Sequence, residues 1–458
     1  MNDFTSLERH LRDNRESHLQ QLCELLRLPS VSADAAFAQP LQAAADWLSS
    51  KFAAIGLETQ QIPGDGPPLV YAQTPAVPGA PVALVYGHYD VQPADPLELW
   101  DTPPFEPTIR DGKLYARGAT DDKGQMLTHV MAVEAAMQAG PLPMQVKFLI
   151  EGQEESGSEV LGAKLPELGE LLACDVMVIS DSSQYAPGRP AVTYGLRGIA
   201  YFELHVRGPR SDLHSGVFGG AVTNPAIALC EMLAAMKDAA GRIQLPGFYE
   251  SVVPLAEAER RAWRELNFSD EAFARQVGVA ALSGEEGYTT LERRWARPSF
   301  DVHGLTSGYQ GEGGKTVLPS TAAAKLSFRL VPDQSPGRVA DQLRAFVASH
   351  TPAGVTAKVV DLHGGPGVVV DPNSPYLRAA SRAVEEAFGV PPVQIREGGS
   401  IPIVAEMVRH LNCEAILLGW GLDDDAAHGP NEKFSVEDFY RGIDASTRLW
   451  PYLAAAKS

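Results

Sequence analysis

The 458-residue sequence predicts an α/β fold interrupted by a second, α+β segment. Three observations carry this. Up to Asp181, apolar runs of strand length alternate with stretches of helical spacing, giving strand, helix, strand, helix, strand, the pattern of an α/β sheet. From Ile199 the apolar residues alternate singly, as in a half-exposed strand, and the order becomes strand, helix, strand, strand, helix, strand, a split βαβ of ferredoxin type. After about residue 366 the first style returns. A chain of this length also exceeds one ordinary core. We therefore expect a larger discontinuous domain, residues 1–198 and 366–458, with a smaller domain, 199–365, inserted into it.

Taken in order, Leu7, Leu11, Leu19, Leu22, Leu25 and Leu26 predict a helix over 5–28, ended by Leu28-Pro29. A second helix covers about 40–55 (Leu41, Ala45, Leu48, Phe52), with Gly56 past its end. Residues 57–61 and 69–72 read as short edge strands. Residues 82–86 form an apolar run that reads as a buried strand, followed by Gly87-His88-Tyr89-Asp90. A proline-rich loop follows, packed down by Trp100 and Phe105. A helix then starts near Lys123, with Met126, Val130, Val133 and Met137 on one face and Gly140 beyond it. A strand at 144–150 runs into Glu151-Gly152-Gln153-Glu154-Glu155, a helix spans 158–172, and a strand at 175–179 ends at Ser180-Asp181.

In the inserted segment, strands at 199–206, 300–305, 322–331 and 355–362 frame two helices. Asn224-Pro225 opens one and Ser335-Pro336 the other. Residues 240–298 are charged and mostly helical or irregular. The open edges of such a sheet invite pairing with a second copy. Beyond it come a helix at 374–388, a strand at 393–396, the turn Glu397-Gly398-Gly399-Ser400 opening a helix, and a strand at 414–419. A loop then carries Asp423, Asp424, Asp425 and His428, and a final helix covers about 435–450.

Composition removes several function classes. Lys+Arg of 38 against Asp+Glu of 57 gives a net charge of −19, so the basic footprint needed for nucleic acid or an anionic membrane is missing. The first residues have neither a basic nor an apolar signal-peptide region, and no apolar run is long enough to span a bilayer. Cys23, Cys174, Cys230 and Cys413 are scattered, without a CxxC, which fits reduced thiols in the cytoplasm and makes a thiolate metal site a poor candidate.

The strands of the first style end in histidines and acids. If the extended conformation continues, His88 and Asp90 point to one side, at the carboxyl end of a sheet strand where open α/β sheets place their sites. The full set is His88, Asp90, Asp121, Asp122, Glu154, Glu155, Asp181 and His428. Imidazole and carboxylate without thiolate suit zinc, manganese or cobalt. Two histidines and several acids fit a pair of ions, one histidine on each, with one carboxylate bridging. If Glu154 ends a strand, it and Glu155 diverge, one free to bind metal while the other acts as general base. Asp90 fits as the carboxylate that accepts a hydrogen bond from His88 and fixes its tautomer. Each residue alone has a plainer reading: Asp122 could cap the following helix, Glu154-Glu155 could be a solvated turn, and Asp181 a loop acid. The joint pattern outweighs these. Asp423–Asp425 read as a solvated run, and His10, His18, His129, His350 and His410 as structural or surface residues without partners.

Four stretches then carry a resemblance: 87–93 (GHYDVQP), 117–124 (RGATDDKG), 151–158 (EGQEESGS) and 396–402 (REGGSIP). They resemble the dinuclear zinc exopeptidases, most closely the branch of cytosolic nonspecific dipeptidase and carnosinase. The resemblance implies a mixed-sheet catalytic domain with an inserted lid and dimerisation domain of ferredoxin-like α+β type. It also implies two divalent ions, zinc before manganese or cobalt, with His88, Asp121 and Asp181 on one and Asp121, Glu155 and His428 on the other. Glu154 becomes the general base, Asp90 the partner of His88, and the Asp121–Asp122 peptide bond cis. His214, in Asp212-Leu213-His214-Ser215-Gly216, would reach the site of a partner subunit and stabilise the oxyanion. Arg329 would bind the substrate carboxylate, with Ser400 and Gly399 adding donors, and Thr316 and His363 are further substrate contacts. Aspartate at 181 resembles the aminopeptidases and dipeptidases, whereas glutamate there resembles deacylases. The expectation is a cytoplasmic, homodimeric dipeptidase in which a metal-bridging hydroxide, deprotonated by Glu154, attacks a short peptide. The alternatives are an amidohydrolase that deacylates amino acids and a non-catalytic peptide-binding relative; an intact Glu154 argues against the latter.

Overall fold

The computed structural model describes residues 4–456. It divides into two compact units, one comprising residues up to Tyr194, Val370–Ile395 and Glu406 onwards, the other Gly195–Val369 with Arg396–Ala405. The inserted unit is therefore wider than 199–365 and takes in the glycine-rich turn. The reason is local. The Arg197 N–H donates to the Glu397 carbonyl at 3.3 Å and its Nε to the Gly398 carbonyl at 3.1 Å, which bonds the turn to the start of the insertion.

The first unit is built on a mixed sheet. The strand order is Glu58–Gly64, Gly66–Gln73, Gln145–Glu151, Val82–His88, Val176–Ile179, Glu414–Gly419, Ala191–Leu196. The four middle strands run parallel and the outer pairings are antiparallel. Parallel strands deliver their carboxyl ends to one edge, so the sheet itself gathers the ends of 82–88, 145–151 and 176–179 there. Of the two runs read as edge strands, only Glu58–Gly64 lies at an edge; Gly66–Gln73 is paired on both sides.

The predicted helix at 5–28 is two helices, Thr5–Asp13 and Arg15–Leu26. Asn14 interrupts it: its Nδ2 donates to the His10 carbonyl at 2.9 Å, a local alternative to the helical ladder. The helix Lys123–Ala139 is buried from Lys123 to Val133 on every side, not along one face. Lys123 is satisfied there by the carbonyls of Leu25 (3.2 Å) and Leu28 (2.7 Å), so it closes the end of the Arg15–Leu26 helix. Among the features outside the sequence pattern are the strand Ala191–Leu196 and a small sheet of Thr108–Arg110, Lys113–Tyr115 and Lys433–Ser435.

In the second unit a four-stranded sheet has the order Ser299–Ser307, Thr321–Leu330, Gly198–Arg207, Thr356–Gly365, all neighbours antiparallel. This is the split βαβ order. Its core joins Phe202, Leu204, Leu326 and Phe328 from the sheet with Leu229 and Met232 of Pro225–Ala235 and Leu343 and Phe346 of Pro336–His350. Asn224 caps the first of these helices, its Oδ1 accepting from Ala226 N at 2.9 Å. Residues 240–298 hold three short helices, Glu257–Arg264, Asp270–Gln276 and Thr290–Ala296. No helix among the described residues is long and apolar enough to cross a membrane.

Candidate metal centre

His88 is the last residue of its strand and fully buried. Gly87 before it is required by a close approach: a Cβ there would stand 2.8 Å from Asp122 Oδ2. Asp122 makes no capping bond to the helix it precedes; its Oδ2 instead accepts from the His88 N–H at 3.3 Å, so it shapes the site. The Asp121–Asp122 peptide bond is cis.

Asp121 lies between two imidazoles. Its Oδ1 is 3.2 Å from His88 Nε2 and its Oδ2 2.9 Å from His428 Nε2. Asp181, two residues beyond its strand, places Oδ2 4.0 Å from His88 Nε2, and Glu155 Oε2 is 3.2 Å from His428 Nε2. Two triads result, His88–Asp121–Asp181 and Asp121–Glu155–His428, each with its ligand atoms within 4.8 Å of one another. They share one carboxylate, which offers a different oxygen to each.

Glu154 and Glu155 do not end a strand, as the sequence reading required for their divergence. The strand stops at Glu151, and 154–156 form a 3₁₀ turn. With about three residues per turn, the two side chains still point apart. Asp90 braces this turn: its Oδ1 accepts from Glu154 N at 3.2 Å and its Oδ2 from Glu155 N at 3.1 Å. Its bond to the imidazole is shared, since His88 Nδ1 is 3.1 Å from the Asp90 carbonyl and 3.4 Å from Oδ1. Gln92 Nε2 donates to Glu155 Oε2 at 2.9 Å.

The electrostatics are those of crowded, buried acids. Burial alone would raise Asp121, but its bonds to His428 and His88 outweigh that and hold it below the usual carboxylate range. Burial, with the charge of Asp121, pushes Asp181 up to about 7. Burial also holds Glu154 well above the usual range, Asp181 and Glu155 adding to it. Hydrogen bonds to Asp121 and Glu155 lift His428 to about 10. The carboxylates thus draw positive charge onto whatever base is near, the field in which a divalent cation is stabilised. Glu155 Oε1 is buried without a hydrogen-bond partner, and buried His88 Nε2 faces only the carboxylate oxygens of Asp121 and Asp181. The donors are imidazole and carboxylate throughout, the chemistry of zinc, manganese or cobalt sites. The residues fit two such ions.

The other expected site residues belong to the second unit. Arg329 Nη1 donates to Ser400 Oγ at 2.8 Å, with exposed Gly399 next to that serine. His214 is exposed; its Nδ1 accepts from Gly216 N at 3.0 Å, which leaves the proton on Nε2 as an outward donor. Thr316 lies beside it, its carbonyl accepting from Ser215 N at 3.2 Å. His363 stacks on Tyr201 at 5.0 Å, and His303 stacks on the same ring at 5.1 Å.

Two buried acids were not read from the sequence as parts of the site. Glu432 accepts from Arg117 Nη1 (2.8 Å) and from the N–H groups of Gly118 (2.9 Å), Thr120 (2.9 Å) and Asp121 (3.1 Å), and so sets the loop that presents Asp121. Asp425, expected in a solvated run, is buried instead. It accepts from Leu422 N at 2.8 Å and from Lys433 Nζ at 3.1 Å. His129, expected to lack a partner, is buried with Nε2 2.7 Å from Ser180 Oγ.

Residues 84–451 match the profile of Peptidase family M20/M25/M40. The chain is 32% identical to the Cys-Gly metallodipeptidase DUG1 of Saccharomyces cerevisiae, covering 98% of both chains. It is 34% identical to the human Beta-Ala-His dipeptidase over 92% of this chain and 83% of that one. Among solved structures, a metallo-carboxypeptidase of the M20 family from Sulfolobus solfataricus superposes with a TM-score of 0.88 at 30% identity, covering 96% of this chain and 99% of that one.

Proposed function

Because the chain belongs to Peptidase family M20/M25/M40, we propose a division of labour among its site residues. The protein is a metallopeptidase that hydrolyses dipeptides. His88, Asp121 and Asp181 hold one divalent ion and Asp121, Glu155 and His428 a second, with zinc the favoured ion for this donor set. Bound there, the pair supplies a water of lowered pKa and polarises the scissile carbonyl.

Glu154 is the general base. Its carboxylate makes none of the contacts that tie down its neighbours, which leaves it free to take a proton from water and return it to the leaving amine. Asp90 holds the turn that aims Glu154 and orients the His88 ring. Arg329 and Ser400 bind the substrate carboxylate through a guanidinium fork and a hydroxyl, with Gly399, Thr316 and His363 around them. His214 donates from Nε2 to the tetrahedral oxyanion.

The working form is a cytoplasmic homodimer in which each copy lends its His214 to the other. Support comes from the exposed Val217, Phe218 and Ile227 near that histidine and from four unpaired cysteines. The observation that carries the reading is the shared carboxylate of Asp121 with an uncommitted acid, Glu154, alongside. Glu154→Gln should retain both ions by metal analysis and lose nearly all dipeptide turnover, about 1000-fold or more. Unchanged turnover overturns the mechanism.

A further inference from the structure

Arg197 and Arg329 grip the same turn from two points. Arg197 ties its main-chain N–H to the Glu397 carbonyl (3.3 Å), its Nε to the Gly398 carbonyl (3.1 Å) and its Nη1 to the Arg297 carbonyl (3.3 Å). Arg329 reaches Ser400 Oγ, two residues further on, at 2.8 Å. Gly398 is needed for this: a Cβ would lie 2.9 Å from Arg197 Nη2 and 2.8 Å from the Arg294 carbonyl. The Cβ position of Gly399 meets nothing within 4 Å, so the turn is open beyond that grip.

The charges are unbalanced. Neither guanidinium forms an ion pair among the described residues; Arg197 bonds only to carbonyls and Arg329 only to a hydroxyl. Arg297, by contrast, is neutralised by Glu285 at 2.7 Å. The acid that acts on both, Asp301, touches neither and accepts instead from Ser299 Oγ at 3.1 Å. Burial, then the charge of Arg329, brings Arg197 down to about 10. Two like charges held together, with no acid in direct ion pair to either, form a receptor for an anion.

We propose that Arg197 is a positioning residue for the terminal carboxylate of the substrate: it fixes the Glu397–Ser400 turn and adds a second positive charge beside Arg329. This rests on the reading that Arg329 and Ser400 bind that carboxylate.

The test is steady-state kinetics of the metal-loaded enzyme on one dipeptide and on the same dipeptide as its C-terminal amide. Arg197→Met should raise KM for the free acid roughly 10- to 100-fold, the loss of a charge-assisted contact, with kcat nearly unchanged and the amide little affected. Arg197→Lys, which keeps the charge without the fork, should recover part of the loss. Gly398→Ala should shift KM in the same direction without removing a charge, and stands in if Arg197→Met fails to fold. A fall in kcat at constant KM, or an equal loss on acid and amide, overturns the proposal. Arg329→Met separates the two readings. If it abolishes discrimination between acid and amide while Arg197→Met leaves it intact, Arg197 alone is misassigned. If it too leaves discrimination intact, the carboxylate subsite itself is wrong.

Discussion

At one proposed metal position His88 ends a sheet strand, Asp181 follows a second strand by two residues, and their side chains are 0% and 19% exposed. At the other, Glu155 sits in a 3₁₀ turn and His428 in a loop, with backbone φ at +62° and 56% of its side chain exposed. The donor types are nearly the same, but what fixes them differs. Groups carried on strands inherit the stiffness of the sheet, whereas groups on turns depend on side-chain braces. The strand-built position should therefore hold its ion more tightly, and the turn-built one should be the weaker and more adjustable of the two.

The largest expected effect comes from removing what both positions share. Asp121→Asn should empty both by metal analysis and reduce activity at least about 1000-fold; retention of one ion would show that the carboxylate does not bridge. Next, graded chelation of the wild type should release metal in two steps, and Gln92→Leu should weaken only the first-released ion, by about 10-fold, because Gln92 braces Glu155 alone. A single release step, or an equal weakening of both, would break the contrast between strand and turn.

The smallest effect concerns the strand side. His129 packs against Ser180, the neighbour of Asp181, and burial lowers its pKa from 6.5 to about 3. Below pH 6.5 the unfolded chain takes a proton that the folded chain refuses, so stability falls as pH falls, by about 3 kcal/mol at roughly pH 4. His129→Gln should flatten the dependence of Tm on pH over that interval while leaving metal content unchanged.

Most of the framework that carries the proposed ligands was readable because it rests on local signals. The apolar run before His88, the Glu154-Glu155 pair after a strand, and the return of α/β style after residue 366 each lie within a window of a few residues. The braces were not readable. Glu432 meets Arg117 across 315 residues, and the three strands that bring them together are three residues long, too short to show a period. Asp425 was misread because three adjacent aspartates look solvated until Lys433 and Leu422 are seen to enclose one of them. Arg197 marked a change of style in the sequence, but its bonds run to main-chain carbonyls of a turn some two hundred residues on, which no side-chain pattern records.

The Glu432 clamp also sets an order of events during synthesis. By the time residue 194 has emerged, a nascent chain already carries His88, Asp121, Glu154, Glu155 and Asp181, yet the loop that aims Asp121 has no acceptor for its three N–H groups. That acceptor and His428 are translated within a few residues of each other, only after the whole inserted unit. A ribosome-bound intermediate that stops short of Glu432 should therefore be unable to assemble the proposed dinuclear centre, and dipeptide hydrolysis would begin only after the segment carrying His428 and Glu432 has been made.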